Sequence, residues 1–124
     1  MGCSVLLVDD HSAFRHAARA LLQAEGFVVL GEAVDGRSAL SAAARLRPDL
    51  VLLDVQLPDL DGFEVAEQLA RATPPVPVVV LISTRTVSSY RTRLAGSTAL
   101  AFVRKQDLSG PALTALLTPP AAAR

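Results

Sequence analysis

A chain of 124 residues, 51% hydrophobic and 19% charged, has the size of one ordinary domain and can bury roughly two-thirds of the surface its unfolded form exposes. Twelve basic residues balance twelve acidic ones, which excludes a broad cationic field for nucleic acid or anionic lipid, so any DNA contact belongs to another domain. The longest apolar run, Val76 to Ile82 with a proline inside it, falls far short of the ~20 residues that span a bilayer. With Cys3 as its single cysteine and no secretory signal, the chain is expected to be cytoplasmic and without an internal disulfide.

In chain order, a first strand from Ser4 to Asp9 runs through Val5-Leu6-Leu7-Val8 into the acid pair Asp9-Asp10. A first helix follows, with Phe14, Ala17, Ala18, Leu21 and Leu22 at helical spacing, and Gly26 ends it. A second strand is expected from Phe27 to Val34, and after Gly36 a second helix carries Ala39, Leu40, Ala43 and Ala44. Beyond Pro48, a third strand from Asp49 to Asp54 is apolar until its last residue, a carboxylate.

The turn Leu57-Pro58-Asp59-Leu60-Asp61-Gly62 must leave that strand and enter a third helix anchored by Phe63, Ala66, Leu69 and Ala70. Its proline fixes φ, and its glycine is read as permitting a conformation closed to other residues. Past Pro74-Pro75, a fourth strand from Pro77 ends at Ser83. The fourth helix, roughly Thr86 to Ala95, has only Val87, Tyr90 and Leu94 as apolar anchors and is expected to be the least firmly held. A fifth strand from Ala99 to Val103 leads to Lys105, and Ser109-Gly110-Pro111 opens a last helix with Ala112, Leu113, Leu116 and Leu117. Residues 1–117 form one domain in this reading, and 118–124 a tail or the start of a linker.

The strand runs are nearly continuous and β-branched rather than alternating, as a parallel sheet covered on both faces requires. An α/β, doubly wound fold of five βα units is expected. In such folds ligand crevices form at the C-terminal ends of the strands, so Asp9, Asp10, Asp54 and Lys105 are expected to converge there. One aspartate suffices to cap a helix. Adjacent carboxylates joined by a third repel one another unless a cation sits between them, and three hard oxygen donors in a partly exposed crevice suit Mg2+. Eleven of the twelve basic residues are arginine, which marks Lys105 as a position that wants a compact ammonium. His11 and His16 are read as surface residues of the first helix, since a spacing of five does not place two ligands on one helix face. His11 is near enough to the acid pair to tune its field.

With these parts in this order, the chain resembles the receiver domain of two-component response regulators. The resemblance runs from Val5 to about Leu117. It rests on Asp9-Asp10, the segment from Asp54 to Gly62, Ser83 at the end of the fourth strand, and Phe102 three residues before Lys105. It implies a flavodoxin-like (βα)5 fold with strand order 2-1-3-4-5. Asp54 would be the phosphoacceptor for a sensor histidine kinase. Mg2+ would be held by Asp10 and Asp54, by Asp9 mainly through water, and by the backbone carbonyl of Gln56. Lys105 and Ser83 would contact the phosphoryl oxygens, and Ser83 with Phe102 would switch the face made by the fourth helix, fifth strand and fifth helix, Phe102 swinging inward from a more exposed position.

Gln106 in place of a frequent proline, the Asp9-Asp10-His11 start and the Leu57-Pro58 pair are similar to receivers that precede a helix-turn-helix domain. Thr98 stands where a glycine is frequent, and Gln56 and Arg85 flank the phosphoryl site. The partners implied are a sensor kinase and a downstream protein or an effector domain of the same protein, with a homodimer left open and no direct nucleic acid or membrane contact. The receiver itself is expected not to be an enzyme beyond self-catalysed phosphotransfer. Two alternatives stand beside this: a receiver-like interaction module that signals without phosphorylation, and a phosphatase using the DxDG string Asp59-Leu60-Asp61-Gly62. No glycine-rich dinucleotide or triphosphate loop follows the first strand.

Overall fold

The computed structural model describes residues 2–117, with the side chain of Val87 excepted. The expected tail at 118–124 and the Val87 anchor lie outside the described residues. Five strands, β1 (Ser4–Val8), β2 (Val28–Ala33), β3 (Leu50–Asp54), β4 (Val78–Ser83) and β5 (Ala101–Arg104), pair in parallel in the order β2-β1-β3-β4-β5. The helices between and after them are α1 (Ser12–Ala24), α2 (Gly36–Leu46), α3 (Gly62–Ala70), α4 (Arg91–Ala95) and α5 (Gly110–Leu117). This is the doubly wound arrangement and strand order expected from the sequence.

Strand side chains alternate between two faces, and the core divides accordingly. Val5, Leu7, Leu50, Leu52, Val80 and Ile82 pack with Ala18 and Leu22 of α1 and Leu113 of α5. Leu6, Val8, Val51, Leu53 and Leu81 pack on the other face with Ala39 and Ala43 of α2 and Phe63, Val65, Ala66 and Leu69 of α3. Each fully buried leucine contributes about 1.5–3 kcal/mol through removal of apolar surface from water. Because β3 is apolar on both faces and lies inside the sheet, all five of its residues are buried.

The two edge strands depart from the expectation of full cover. In β2, Val28 and Leu30 are 48% and 38% exposed, and the register against β1 slips by one residue between Val5 and Leu6. The residues of β5 are half-buried throughout. An edge strand has a neighbour on one side only, so its apolar run is not evidence of burial on both faces. The α1 stripe is also narrower than expected, since Ala17 is exposed.

Helix entries differ in quality. Asp35 caps α2 in a reciprocal box with Ser38, accepting from the Ser38 N–H at 2.8 Å while the Ser38 hydroxyl accepts from the Asp35 N–H at 3.3 Å. Asp61 caps α3, accepting from the Glu64 N–H at 2.9 Å. Both use carboxylate oxygens to satisfy N–H groups that have no partner inside the helix. The fourth helical segment is broken: a 3-10 turn at Val87–Tyr90 precedes the five-residue α4, and no residue of α4 is buried. That fits its few apolar anchors.

Gly62 has a different reason from the one expected. Its φ is not in the left-handed region, where Gly26 is the described glycine. A Cβ on Gly62 would stand 2.5 Å from the Asp54 carbonyl oxygen and 2.8 Å from the Val55 Cα. The Gly62 N–H donates to the Val55 carbonyl at 2.7 Å. Close approach of α3 to the end of β3, rather than dihedral freedom, requires the glycine.

Candidate functional site

The strand order reverses between β1 and β3, and the crevice beyond their C-terminal ends is where this topology places a ligand. Asp9 follows β1 and is fully buried; Asp54 is the last residue of β3 and is 2% exposed; Ser83 ends β4 and is fully buried. Lys105 opens a short 3-10 turn directly after β5. The topology thus brings four side chains separated by as much as 96 positions to one rim.

The ammonium of Lys105 joins the two buried carboxylates. Its Nζ lies 2.5 Å from Asp9 Oδ2 as an ion pair and donates to Asp54 Oδ2 at 3.1 Å. It also sits 4.7 Å from the centre of the Phe14 ring, which walls the lysine on the α1 side. The other Asp54 oxygen, Oδ1, accepts the Gln56 N–H at 3.0 Å. Asp9 Oδ1 accepts the His11 N–H at 2.8 Å and faces His11 Nδ1 at 3.0 Å. Asp10 is exposed, with Oδ1 3.1 Å from the same ring nitrogen.

Burial raises the Asp54 carboxyl above its ordinary range, and the charge of Asp9 adds to this; the Gln56 N–H and Lys105 pull the other way without prevailing. For Lys105 burial works against the charged form, yet the pairs with Asp9 and Asp54 hold the ammonium above its usual range. Three carboxylates meet one ammonium here, a surplus of two negative charges. Ligand atoms of Asp9, Asp10, His11 and Asp54 all lie within 4.8 Å of one another. The donor set and the charge surplus fit a hard dication.

Ser83 Oγ accepts the Arg85 N–H at 3.1 Å, which leaves the hydroxyl proton free to donate. Phe102 is half-buried, its ring 5.7 Å from that of Tyr90, which is in turn 5.7 Å from Phe63. Thr98 is accommodated by a 3.4 Å hydrogen bond from its hydroxyl to the Ala66 carbonyl. Gln56 and Arg85 are exposed beside the rim.

Two features of the sequence resolve differently. His11 is the residue before α1, with extended backbone (φ −97, ψ 111); its ring turns back to the acid pair instead of riding on the helix surface. His16 is exposed on α1 as expected. Asp59 and Asp61, the acids of the DxDG string, are occupied by backbone. Asp59 accepts the Gly36 and Arg37 N–H groups at the start of α2, at 2.7 and 3.0 Å, and Asp61 caps α3. Their work is to tie the β3–α3 loop to two helix ends.

The model of the response regulator receiver domain family matches residues 5–116. The chain belongs to this family. It is 40% identical over 103 residues to BvgA of Bordetella pertussis, named as a transcription regulator of virulence factors, covering 83% of this chain and 49% of that protein. It is 43% identical over 108 residues to a protein-glutamate methylesterase/protein-glutamine glutaminase of Anaeromyxobacter dehalogenans, covering 86% of this chain and 30% of the enzyme. The signal receiver domain of the response regulator NarL from Mycobacterium tuberculosis superposes with a TM-score of 0.80 at 29% identity, covering 95% of this chain and 98% of that one. The chain spans about half the length of the transcription regulators it matches. No helix of this receiver is long and apolar enough, among the described residues, to cross a membrane.

Proposed function

We propose that this receiver accepts a phosphoryl group on Asp54 from the phosphohistidine of a sensor kinase in the cytoplasm, and passes the change to an output through the face made by α4, β5 and α5. The observation that carries this is the state of the Asp54 carboxylate: one oxygen tethered to Lys105, the other to the Gln56 N–H, in a cluster two positive charges short. A bound Mg2+ would supply that missing charge and shield the phosphoryl oxygens. Asp10 and Asp54, Asp9 through water, and the Gln56 carbonyl are the groups to hold it.

In the transfer, an Asp54 carboxylate oxygen attacks phosphorus in line. The P–O bond to the aspartate forms as the P–N bond to the kinase histidine breaks, and the nitrogen keeps the electron pair. Lys105 neutralises charge on the phosphoryl oxygens from a fixed position, so little reorganisation is needed at the moment of reaction. The Ser83 proton is available to donate to one of those oxygens once the aspartyl phosphate exists.

Movement of Ser83 toward the phosphoryl group opens space for deeper burial of Phe102. Completing the burial of a half-buried ring is worth up to about 1.5–3 kcal/mol, and about 1.4 kcal/mol is already a tenfold change in population. The responder is α4, which buries no residue. Phe102→Ala is expected to weaken phosphorylation-dependent binding of the output while leaving Asp54 labelling intact.

Incubation with Mg2+ and acetyl phosphate tests the reading. Stoichiometric acid-labile phosphate on Asp54, lost in Asp54→Asn and with excess chelator, supports it. Absence of label under the same conditions overturns it in favour of a module that signals without phosphorylation, and repeated turnover of the donor overturns it in favour of a phosphatase.

A further inference from the structure

We propose that His11 supplies a nitrogen ligand to the cation site, so that this receiver prefers a transition-metal dication such as Mn2+ or Co2+ over Mg2+. The proposal rests on the reading that the acid group holds a dication, and it concerns which one.

The His11 ring nitrogen stands beside both members of the acid pair. His11 Nδ1 lies 3.0 Å from Asp9 Oδ1 and 3.1 Å from Asp10 Oδ1. Ligands at right angles around an ion with bonds of about 2.0–2.1 Å are about 2.8–3.0 Å apart, the bond length multiplied by the square root of two. The imidazole nitrogen is therefore spaced from the Asp10 oxygen much as one corner of an octahedron is from its neighbour. The extended backbone of His11 aims the ring here, because a residue that precedes the helix is not carried around the helix surface.

Among the described residues the ring is held through Nδ1 alone, by its contacts with Asp9 and Asp10. Its side chain is 68% exposed, and it makes no side-chain capping bond to α1 among the described residues. A packing role would bury it, and a capping role would engage the N–H groups of the first turn. The ring nitrogen belongs with the acids as a group: ligand atoms of Asp9, Asp10, His11 and Asp54 all lie within 4.8 Å of one another, while the second oxygen of buried Asp9, Oδ2, is taken by the Lys105 ammonium.

The chemistry follows from the donor set. Carboxylate oxygens alone suit Mg2+, which takes nitrogen ligands reluctantly. A neutral imidazole adds affinity for Mn2+, Co2+ and the later dications, in the order set by their d-electron configuration. Coordination through the Nδ1 lone pair places the ring proton on Nε2.

The test uses the purified chain and the metals themselves. Titration calorimetry with MgCl2, MnCl2 and CoCl2 gives dissociation constants for the wild type, His11→Ala and His11→Asn, the last keeping a side chain suited to a helix start. The expected result is a wild type that binds Co2+ and Mn2+ more tightly than Mg2+. Removing the imidazole is expected to cost about tenfold or more in Co2+ affinity, the scale on which metal-site residues act, while Mg2+ affinity stays within about twofold. Electron spin echo spectra of the Mn2+ complex are expected to show a histidine nitrogen coupling in the wild type that both variants lack. An unchanged Co2+ to Mg2+ ratio across the three proteins, or no nitrogen coupling in the wild type, overturns the role of His11 while leaving the metal site standing. If no dication binds to any of them, the metal reading itself fails and this inference falls with it.

Discussion

Two helices of this receiver, α2 and α4, lie on the same face of the sheet and are held in different ways. Three alanines of α2 (Ala39, Ala42 and Ala43) are buried, its start is closed by the Asp35–Ser38 box, and Asp59 adds two further hydrogen bonds from the neighbouring loop. By contrast, α4 buries nothing, starts from a 3-10 turn and lacks a side-chain cap. It is fastened by Arg93, whose guanidinium donates to Asp61 at 2.6 Å and lies 4.5 Å over the Phe63 ring, and by Tyr90 between Phe63 and Phe102. A helix held by apolar area and satisfied N–H groups resists displacement. One held by an exposed ion pair and tilted rings can move for a small free energy.

Truncation of the core sets the scale of that contrast. Leu52→Ala, inside the sheet, is expected to cost about 2–5 kcal/mol, against less than about 1 kcal/mol for Leu94→Ala on α4; urea unfolding of both variants measures it. Equal losses would show that α4 is as firmly built as the rest.

A second effect concerns the rim. Because the Asp54 carboxyl is raised in the folded state, the fold favours its protonated form. The stability it contributes is full below the unfolded value and is lost as pH rises through the folded one. Metal-free protein is therefore expected to lose stability over that acidic interval, and Asp54→Asn to flatten this part of the profile and raise the metal-free Tm at neutral pH. Thermal melts across pH, with and without a divalent cation, check the sign.

Tyr90 carries the third. Its hydroxyl is buried without a hydrogen-bond partner among the described residues, an arrangement that costs about 1–3 kcal/mol. Tyr90→Phe is expected to stabilise the unphosphorylated protein by about 1 kcal/mol and to reduce the fraction of α4 that responds to phosphorylation. Chemical denaturation reads the first and amide hydrogen exchange over residues 86–96 the second.

The smallest effect belongs to Arg93→Ala. The Arg93–Asp61 pair lowers the Asp61 carboxyl although partial burial opposes it, but both side chains are close to half exposed. Solvent screening holds its worth to about 1 kcal/mol or less. The expected signature is faster hydrogen exchange in α4 with little change in global stability.

Much of this was legible because the periodicities of strand and helix are short. Five apolar runs separated by helical stripes led to the sheet, and the position of Asp9, Asp54, Ser83 and Lys105 at strand ends led to the rim. The edge exposure of Val28 and Leu30 was not legible, since an apolar run reads alike whether it has one neighbouring strand or two. Nor was the burden on Gly62, which arises from the close approach of its backbone to the Asp54 carbonyl, a contact between two elements that no local pattern encodes. The nearness of His11 to the acid pair was legible, but not its place off the helix surface, because helical spacing assumes a helix that has already begun, whereas this residue stands one position before it. An acid pair at a strand end followed at once by histidine is the signal that could have found it.

The amino-acid sequence by itself determined the alternation of strands and helices, the parallel sheet and the carboxylates at strand ends, because burial of apolar periodic segments leaves few other solutions. Only the tertiary structure decided the distances and pairings at the rim, that Asp59 and Asp61 serve helix ends, and that the His11 ring faces the acid pair. Those outcomes depend on how separate elements are brought together and on the exact backbone at their junctions, which no local pattern of residues encodes.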